Sequence, residues 1–374
     1  MVKKINLKVL IPICLLALIS IITIYCAANY TSKSLGNLAL KQTLWYIVGI
    51  GLVVLLMRLK NEYLYRHTTF LYILGNILLL GLLFFAEPIN NSKCWYIIPG
   101  IGSFQPSEFM KIFLMLILAK MIHNFRSDYK TPTIKEEGLF ILKTLGIVLI
   151  PSILTFLQPD TGSVIIYLII YISMMFVSGI RLRWFIFAFL IIGSILGIIL
   201  GLYFFNEKLF INIFGTDLFY RLDRIFDWQT GSGLQLENAK AAIGSAGLFG
   251  HGFNQTPIYF PEAPTDFIFA IFASNFGFLG IIVLLSITIY LDINIIKIAQ
   301  RKITDTDKYI LIGIVSMLVF QQIQNIGMTI GLFPITGITL PFISYGGSSL
   351  LSYMLIVGII LNISLEKNKR YKYK

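Results

Sequence analysis

The sequence predicts an all-α polytopic membrane protein of about ten transmembrane helices, with one large extracellular loop between helices 7 and 8. Apolar residues make up 57% of the 374 residues and charged residues only 13%, whereas soluble globular chains have roughly 45–50% and about 25%. Mean hydropathy is +0.81, and the runs 9–28 and 164–177 contain no charged residue. This composition excludes a soluble enzyme, a disordered chain, a disulfide-rich scaffold and a collagen-like rod.

Apolar segments of suitable length define the spans in chain order. A hydrocarbon core of about 30 Å is crossed by roughly 17–25 helical residues. We place ten spans near 8–28, 43–58, 69–86, 107–123, 139–157, 162–179, 184–205, 267–292, 309–331 and 347–365. The first span is long enough to remain in the membrane rather than act as a cleaved signal peptide. We treat residues 1–374 as one transmembrane domain.

The distribution of basic residues predicts the orientation. With the N-terminus inside, 21 of the 30 Lys and Arg residues lie on the inner side and seven on the outer side. The positive-inside rule then puts both termini in the cytoplasm and the protein in the cytoplasmic membrane. Basic inner loops face anionic lipid headgroups, which explains a pI near 9.4 without a nucleic-acid partner.

The loop at 206–266 is predicted to be ordered and functional. Its length, about 60 residues, is far above that of ordinary connections, and such loops are usually either functional or disordered. Ten aromatic residues within it argue against disorder.

Polar residues at the outer ends of spans are costly and usually mark substrate paths, and four clusters of this kind occur. The first runs from Trp95 through Gln105 and Ser107 to Glu108 and Lys111. Glu108 and Lys111 are three residues apart, so they can pair on one helix face, while an ammonium inside a span can meet an anion. The alternative is that the segment is only the start of a helix.

The second and third clusters each contain an acid before a predicted span. Asp160 lies in the tight turn 158–163, and either caps the next helix or belongs to a site. Asp266 follows Glu262 and directly precedes the aromatic start of a span at Phe267. For Asp266 too, a helix cap is the alternative to a functional carboxylate.

The fourth cluster, 331–349, is an uncharged segment rich in Pro, Gly, Ser and Thr. This composition is typical of a re-entrant backbone that lines a cavity. The three histidines are far apart and show no ligand spacing, so we assign no metal ligands. No cofactor is identified, and a divalent cation stays open.

Together the clusters resemble the motifs of the SEDS family of bacterial wall polymerases, the RodA/FtsW/SpoVE group. The resemblance covers about residues 10–365, and the short segments outside the first and last spans are closest in form to RodA. The matching motifs, in the family's order, are Trp95 with 104–108 and Lys111, then 158–162, 261–269 and 334–349. The resemblance implies ten transmembrane helices, an extracellular active face, and polymerisation of lipid II together with a class B penicillin-binding protein in cell-shape, division or spore wall synthesis.

The implied reaction joins the 4-hydroxyl of one sugar to the anomeric carbon of another, and a lipid pyrophosphate leaves. It needs a base for the hydroxyl proton and cationic support for the leaving group. We therefore expect Asp266 to be the base and Glu262 a supporting acid. The expected substrate-binding residues are Lys111, Glu108, Trp95, Gln105, Ser107, Arg221, Arg224, Asp160, Ser344, Tyr345 and Ser348.

Three departures from the family's common pattern leave alternatives open. Ser274 and Asn275 stand where members commonly have an acidic pair, Cys94 stands where many have Arg, and 245–247 reads Ser-Ala-Gly instead of the commoner Ser-Gly-Gly. A non-catalytic scaffold for a wall synthase therefore stays an alternative to the polymerase. A lipid II transporter is the third reading, although it would require inverted repeats and broken helices with midplane charges.

Overall fold

Ten long helices account for most of the fold. The computed structural model describes residues 5–31, 38–89, 92–100, 102–216, 218–220, 222, 233–301 and 303–365. Within these residues, ten helices of 17 to 32 residues each overlap one predicted span. They are α1 (Leu7–Thr31), α2 (Leu38–Leu59), α4 (Thr68–Phe85), α5 (Pro106–Asp128), α6 (Ile134–Phe156), α7 (Thr161–Val177), α8 (Leu182–Phe205), α11 (Ile268–Ala299), α12 (Asp305–Thr329) and α13 (Gly347–Leu365).

The all-helical membrane fold is thus confirmed. Eight of the ten helices are both long and apolar enough to cross a membrane. Of the other two, α7 has 17 residues and α5 has 23 residues, five of them charged.

Shorter elements connect these helices. The described residues include α3 (Asn61–Arg66), α9 (Glu207–Phe214) and α10 (Gly233–Gly244), and a two-stranded antiparallel sheet of β1 (Tyr96–Ile98) and β2 (Gly102–Phe104). The sheet is a difference from the predicted all-α chain, because strands of three residues show no readable periodicity. In the long loop, α9 and α10 bear out the expectation of order for the residues that the structure describes.

Helix ends follow local capping chemistry more closely than hydropathy. Thr133 caps α6 in a reciprocal capping box with Glu136, and Thr304 caps α12 by accepting a hydrogen bond from Asp307 N. These caps satisfy backbone N–H groups that have no partner within the helix. They also explain why α12 begins at Asp305, four residues before the predicted span at 309.

Small residues allow the central helices to approach closely. A Cβ at Gly49 of α2 would lie 2.6 Å from Met354 Cγ of α13, and one at Gly358 would lie 2.9 Å from Leu56 Cδ2. Lipid gives no hydrophobic driving force for helix association, so close van der Waals packing at small residues stabilises the helix pair instead. By contrast, α8 contains no buried residue, so its apolar side chains face the bilayer.

The longest helix, α11, is broken near one end. Gly277 has non-helical backbone angles, and the segment 247–252 takes up the freed backbone groups: Phe278 N bonds Gly247 O, and His251 N bonds Ser274 O. A Cβ at Gly277 would lie 2.2 Å from Gly250 N. Both glycines have positive φ, so the contact between the segment 247–252 and the break at Gly277 depends on their lack of a side chain.

Candidate active site

The four sequence clusters converge on one cavity of about 510 Å³. It lies where α2, α5, α7, α11 and α13 all begin, so the positive ends of five helix dipoles surround it. Eight of the predicted site residues line it: Trp95, Gln105, Glu108, Asp160, Glu262, Asp266, Tyr345 and Ser348. Lys111, Ser107 and Ser344 are buried behind the wall, and Arg221 and Arg224 lie outside the described residues.

Asp266 is held by its backbone in a tight turn before α11. Glu262 O accepts hydrogen bonds from Thr265 N and Phe267 N, which closes the turn. Asn325 Nδ2, near the C-terminal end of α12, donates to Asp266 O and to Ile338 O, both at 2.8 Å. Asn325 therefore ties the Asp266 turn to the 334–349 segment, and sequence reasoning missed it; the available signal was a polar amide inside an apolar span.

The carboxylate of Asp266 has few polar partners. Among the described side chains, none donates a hydrogen bond to it, and the cap position of α11 is Phe267 without a side-chain cap bond. The helix-cap alternative for Asp266 therefore does not hold. Burial, with the nearby charge of Glu262 as the second cause, raises the pKa of Asp266 to about 7. A carboxyl with this pKa exchanges protons near neutral pH, as a general base requires.

Glu262 is exposed at the start of this turn, and its own backbone conformation is strained. Its φ is +53°, an uncommon value for a residue other than glycine. Its Oε2 accepts a hydrogen bond from Thr265 Oγ1 at 3.0 Å. Glu262 thus remains a second acid at the cavity.

Ser344 and Tyr345 fasten the 334–349 segment to the Asp266 turn. Ser344 Oγ donates to Thr265 O at 2.7 Å and accepts from Leu340 N at 2.8 Å. Tyr345 N donates to Pro264 O at 2.9 Å. Both hydroxyl functions of Ser344 are occupied and the residue is buried, so the geometry favours a positioning role for Ser344 over substrate contact. Tyr345, whose hydroxyl pKa is raised by burial, lines the cavity.

Glu108 and Lys111 form the predicted pair, with Lys111 Nζ 2.6 Å from Glu108 Oε2. Ser352 Oγ also donates to Glu108 Oε2 at 3.3 Å. Lys111 is 1% exposed and its Nζ lies 5.7 Å from the ring centre of Tyr353. Only Glu108 of the two lines the cavity. The charge of Lys111 is therefore neutralised by Glu108, and Lys111 contacts the cavity only indirectly, behind Glu108.

Both carboxylate oxygens of Asp160 accept hydrogen bonds. Oδ1 accepts from Ser163 N at 3.0 Å, so Asp160 caps α7. Oδ2 accepts from Gln105 Nε2 at 3.2 Å, Ser107 Oγ at 3.1 Å and Ser163 Oγ at 2.7 Å. The capping interpretation of Asp160 is therefore correct, and the residue also joins the starts of α5 and α7 at the cavity wall.

Gln105 is fixed at its backbone as well. Its N–H donates to Ser348 Oγ at 3.0 Å, and Ser348 Oγ donates to Ser103 O at 3.1 Å. These bonds join the start of α5 to the start of α13 next to β2. Ser348 is thereby placed between two helix starts on the cavity lining.

Of the three departures noted in the sequence, two lie away from the cavity and one lines it. Ser274 and Asn275 are buried and do not line the cavity. Asn275 Nδ2 donates to Thr256 Oγ1 and its Oδ1 accepts from Gln255 N, which anchors a loop over the α11 break, and 245–247 belongs to the same loop. Cys94 does line the cavity, where its Sγ donates to Gln158 O and burial raises its pKa to about 12, so the thiol is unreactive.

Lys41, in the first turn of α2, is the one cationic side chain among the described residues that line the cavity. Sequence reasoning placed it at the outer side without a role. Among the described residues, no group of three or more His, Cys, Asp or Glu side chains is arranged to hold a metal ion.

Comparisons with known proteins agree over nearly the whole chain. A family model described as "Cell cycle protein", for the FtsW, RodA and SpoVE group, matches residues 6–369. The stage V sporulation protein E of Bacillus subtilis is 33% identical over 382 residues, covering 96% of each chain. The "Probable peptidoglycan glycosyltransferase FtsW" of Thiomicrospira cyclica is 32% identical over 335 residues, covering 86% of this chain and 81% of that protein.

Solved structures show the same fold. A chain from a peptidoglycan synthase complex, studied for its coordination of polymerization and crosslinking, superposes with a TM-score of 0.75 at 24% identity, covering 96% of this chain and 97% of that one. A mutant of the rod shape determining protein RodA of Thermus thermophilus gives a TM-score of 0.69 at 25% identity, with the same coverage.

Proposed function

The chain belongs to the FtsW/RodA/SpoVE family, and from this premise we propose that it is a peptidoglycan glycosyltransferase that polymerises lipid II at the outer face of the cytoplasmic membrane. It is a multi-pass integral membrane protein. The curated relatives support the activity, since several are described as peptidoglycan glycosyltransferases. The substrate, the orientation and the role of each residue are parts of the proposal.

One observation carries the mechanism: Asp266, whose carboxylate accepts no hydrogen bond from the described side chains, lines the cavity to which the four motifs converge, and burial raises its pKa. Asp266, when ionised, takes the proton from the 4-hydroxyl of the acceptor sugar. The oxygen then bonds to the anomeric carbon of the donor, and the bond from that carbon to the pyrophosphate oxygen breaks. The lipid pyrophosphate leaves with the bonding electron pair, and the proton stays on Asp266 until water removes it.

The surrounding residues hold this geometry. Asn325 and Ser344 fix the backbone on either side of the base, while Asp160 and the Glu108–Lys111 pair fix the opposite wall. The turn that carries Asp266 thus rests on α12 and on the 334–349 segment, and rigid support of this kind keeps a base in a productive position.

The orientation and the partner complete the proposal. We propose that the cavity, at the N-terminal ends of α2, α5, α7, α11 and α13, lies on the outer side; the 21-to-7 distribution of basic residues supports this orientation. A chain of the same fold belongs to a complex that couples polymerization to crosslinking. We propose a class B penicillin-binding protein as the crosslinking partner of this chain.

The test is glycan synthesis from labelled lipid II by the purified protein in liposomes. Asp266→Asn should make no detectable glycan, because loss of a general base typically costs about 10²–10⁴ in rate. The variant should unfold at the same temperature as the wild type or higher, since a raised pKa means that folding disfavours the ionised acid. Asp305→Asn, an exposed acid in the first turn of α12, is the matched control and should polymerise normally.

Near wild-type synthesis by Asp266→Asn would remove the proposed base. Absence of synthesis by the wild type with its partner present would instead favour the scaffold reading. That reading has lost its main support, because Ser274 and Asn275 are buried at the α11 break and away from the cavity. The transporter reading gains little from that break, because the segment 247–252 takes up the backbone groups that the break frees.

A further inference from the structure

The charges that line the cavity are unbalanced. Four acids line it, and two of them are already satisfied: Glu108 by its ion pair and Asp160 by its four hydrogen bonds. Glu262 and Asp266 keep free carboxylate oxygens, and a pyrophosphate entering beside them meets repulsion. Lys41 is the one cation among the described lining residues, so it is the group available to offset this repulsion.

Lys41 stands where a lysine does not help folding. It lies in the first turn of α2, where the helix dipole disfavours a positive charge. It is exposed, and neither an ion pair nor a hydrogen bond to its Nζ occurs within the described part of the chain. A cation at an unfavourable helix end, without a counter-ion and facing a cavity, is explained by a ligand that supplies the negative charge.

The start of α2 is held rigidly next to this lysine. Gln42 is fully buried, and its Nε2 donates to Ser20 Oγ and to Ser344 O, both at 3.2 Å. Trp45, one turn along the helix, also lines the cavity and packs against the start of α13, where a Cβ at Gly347 would lie 2.6 Å from its indole ring. Because Ser344 also bonds the Asp266 turn, Lys41 and Asp266 belong to one connected framework.

We propose that Lys41 binds the pyrophosphate of the polyprenyl-linked substrate during polymerisation. This inference rests on the proposed function, which supplies the reaction, and assigns the anion-binding group of the cavity to a residue outside the four motifs. Lys41 offsets charge on the leaving pyrophosphate while Asp266 accepts the hydroxyl proton. Lysine suits a group that must be bound and then released, because it is a compact point charge on a flexible stem.

Direct binding of a polyprenyl diphosphate tests the assignment without requiring turnover. Protein in nanodiscs is titrated with the diphosphate or with the matching polyprenyl alcohol, and tryptophan fluorescence is followed, since Trp45 and Trp95 line the cavity. We expect the wild type to bind the diphosphate more tightly than the alcohol. Lys41→Met should weaken diphosphate binding about 10- to 100-fold, the range for loss of a charged hydrogen bond, and should leave alcohol binding unchanged.

Two further variants make the result specific. Lys41→Arg keeps the charge and should retain most of the affinity. Lys208→Met removes an exposed lysine of α9 that does not line the cavity, and it should bind as the wild type does. Unchanged diphosphate affinity in Lys41→Met, or an equal loss in Lys208→Met, would overturn the assignment; dependence on Arg221 or Arg224 instead would transfer it to the long loop.

The same variants separate this inference from the proposed function. If Lys41→Met loses diphosphate affinity and the wild type makes glycan, both hold. If the wild type polymerises and Lys41→Met binds normally, the function stands and the Lys41 assignment is wrong. If the wild type binds the diphosphate through Lys41 yet makes no glycan, the anion site stands and the polymerase proposal is wrong.

Discussion

The pH dependence of polymerisation should report the ionisation of Asp266. Its pKa of about 7 means that roughly one tenth of the carboxyl is ionised at pH 6 and nine tenths at pH 8. Because the base acts in its ionised form, kcat/KM should rise about tenfold per pH unit below pH 7 and level off above it. The sign follows from the role: an acid catalyst with the same pKa would give the opposite limb.

Glu262 provides the internal test, because its charge is the second cause of the raised pKa. Glu262→Gln removes a negative charge beside Asp266, so the inflection should move to lower pH. The variant should then retain a larger fraction of its maximal rate at pH 6 than the wild type does, with only a mild change at the plateau. Glu237→Gln, an exposed acid of α10 that does not line the cavity, should leave the inflection in place.

The measurement is the initial rate of glycan formation from labelled lipid II at subsaturating concentration, between pH 5.5 and 8.5 in buffers of constant ionic strength. Thermal unfolding at each pH separates loss of rate from loss of fold. A flat profile, or an inflection near 4 as in an exposed carboxyl, would refute the reasoning, and so would an unmoved inflection in Glu262→Gln.

Three further predictions concern stability and topology. Lys111→Met leaves a buried carboxylate without its partner, so the unfolding free energy should fall by about 3–5 kcal/mol, measured by thermal unfolding in detergent. Gly250→Ala puts a Cβ 2.3 Å from a backbone oxygen and should cost at least about 1–3 kcal/mol, whereas Gly244→Ala, with open space around it, should cost less. In a protein without native cysteines, an impermeant thiol reagent added outside cells should label Cys at Lys208 but not at Ser127; the reverse would contradict the orientation.

The ten-helix fold could be predicted because hydropathy is a strong signal over 17 or more residues. Two helices, α6 and α12, begin four or five residues before the predicted spans, because side-chain caps at Thr133 and Thr304 set those starts. Two features could not be read in this way. The β1–β2 strands are too short to show a period, and the α11 break depends on a remote loop that reaches Gly277.

The sequence predicted most residues of the candidate site, but not the hydrogen bonds that join its segments. The motifs named the acids, and the spacing of Glu108 and Lys111 predicted their ion pair. Asn325 was missed because it follows three other amides, Gln321, Gln322 and Gln324, and no sequence pattern names which of them bonds the remote turn. Lys41 was missed because a lysine at the end of a span is more often a residue that reaches to the interface. Only the structure shows that it lines the cavity and has no ion-pair partner among the described residues.

The cavity shows why acids of one type take different roles. Asp160 and Asp266 both precede a helix, so their sequence contexts predict the same cap. Asp160 accepts four hydrogen bonds, which stabilise its ionised form and make it a poorer acceptor of a substrate proton. Asp266 is held through its backbone oxygen by Asn325, so its carboxylate stays free of donors while burial raises its pKa. A general base must be fixed in position, and its carboxylate must be free of hydrogen-bond donors. Of these two acids, only Asp266 meets both conditions.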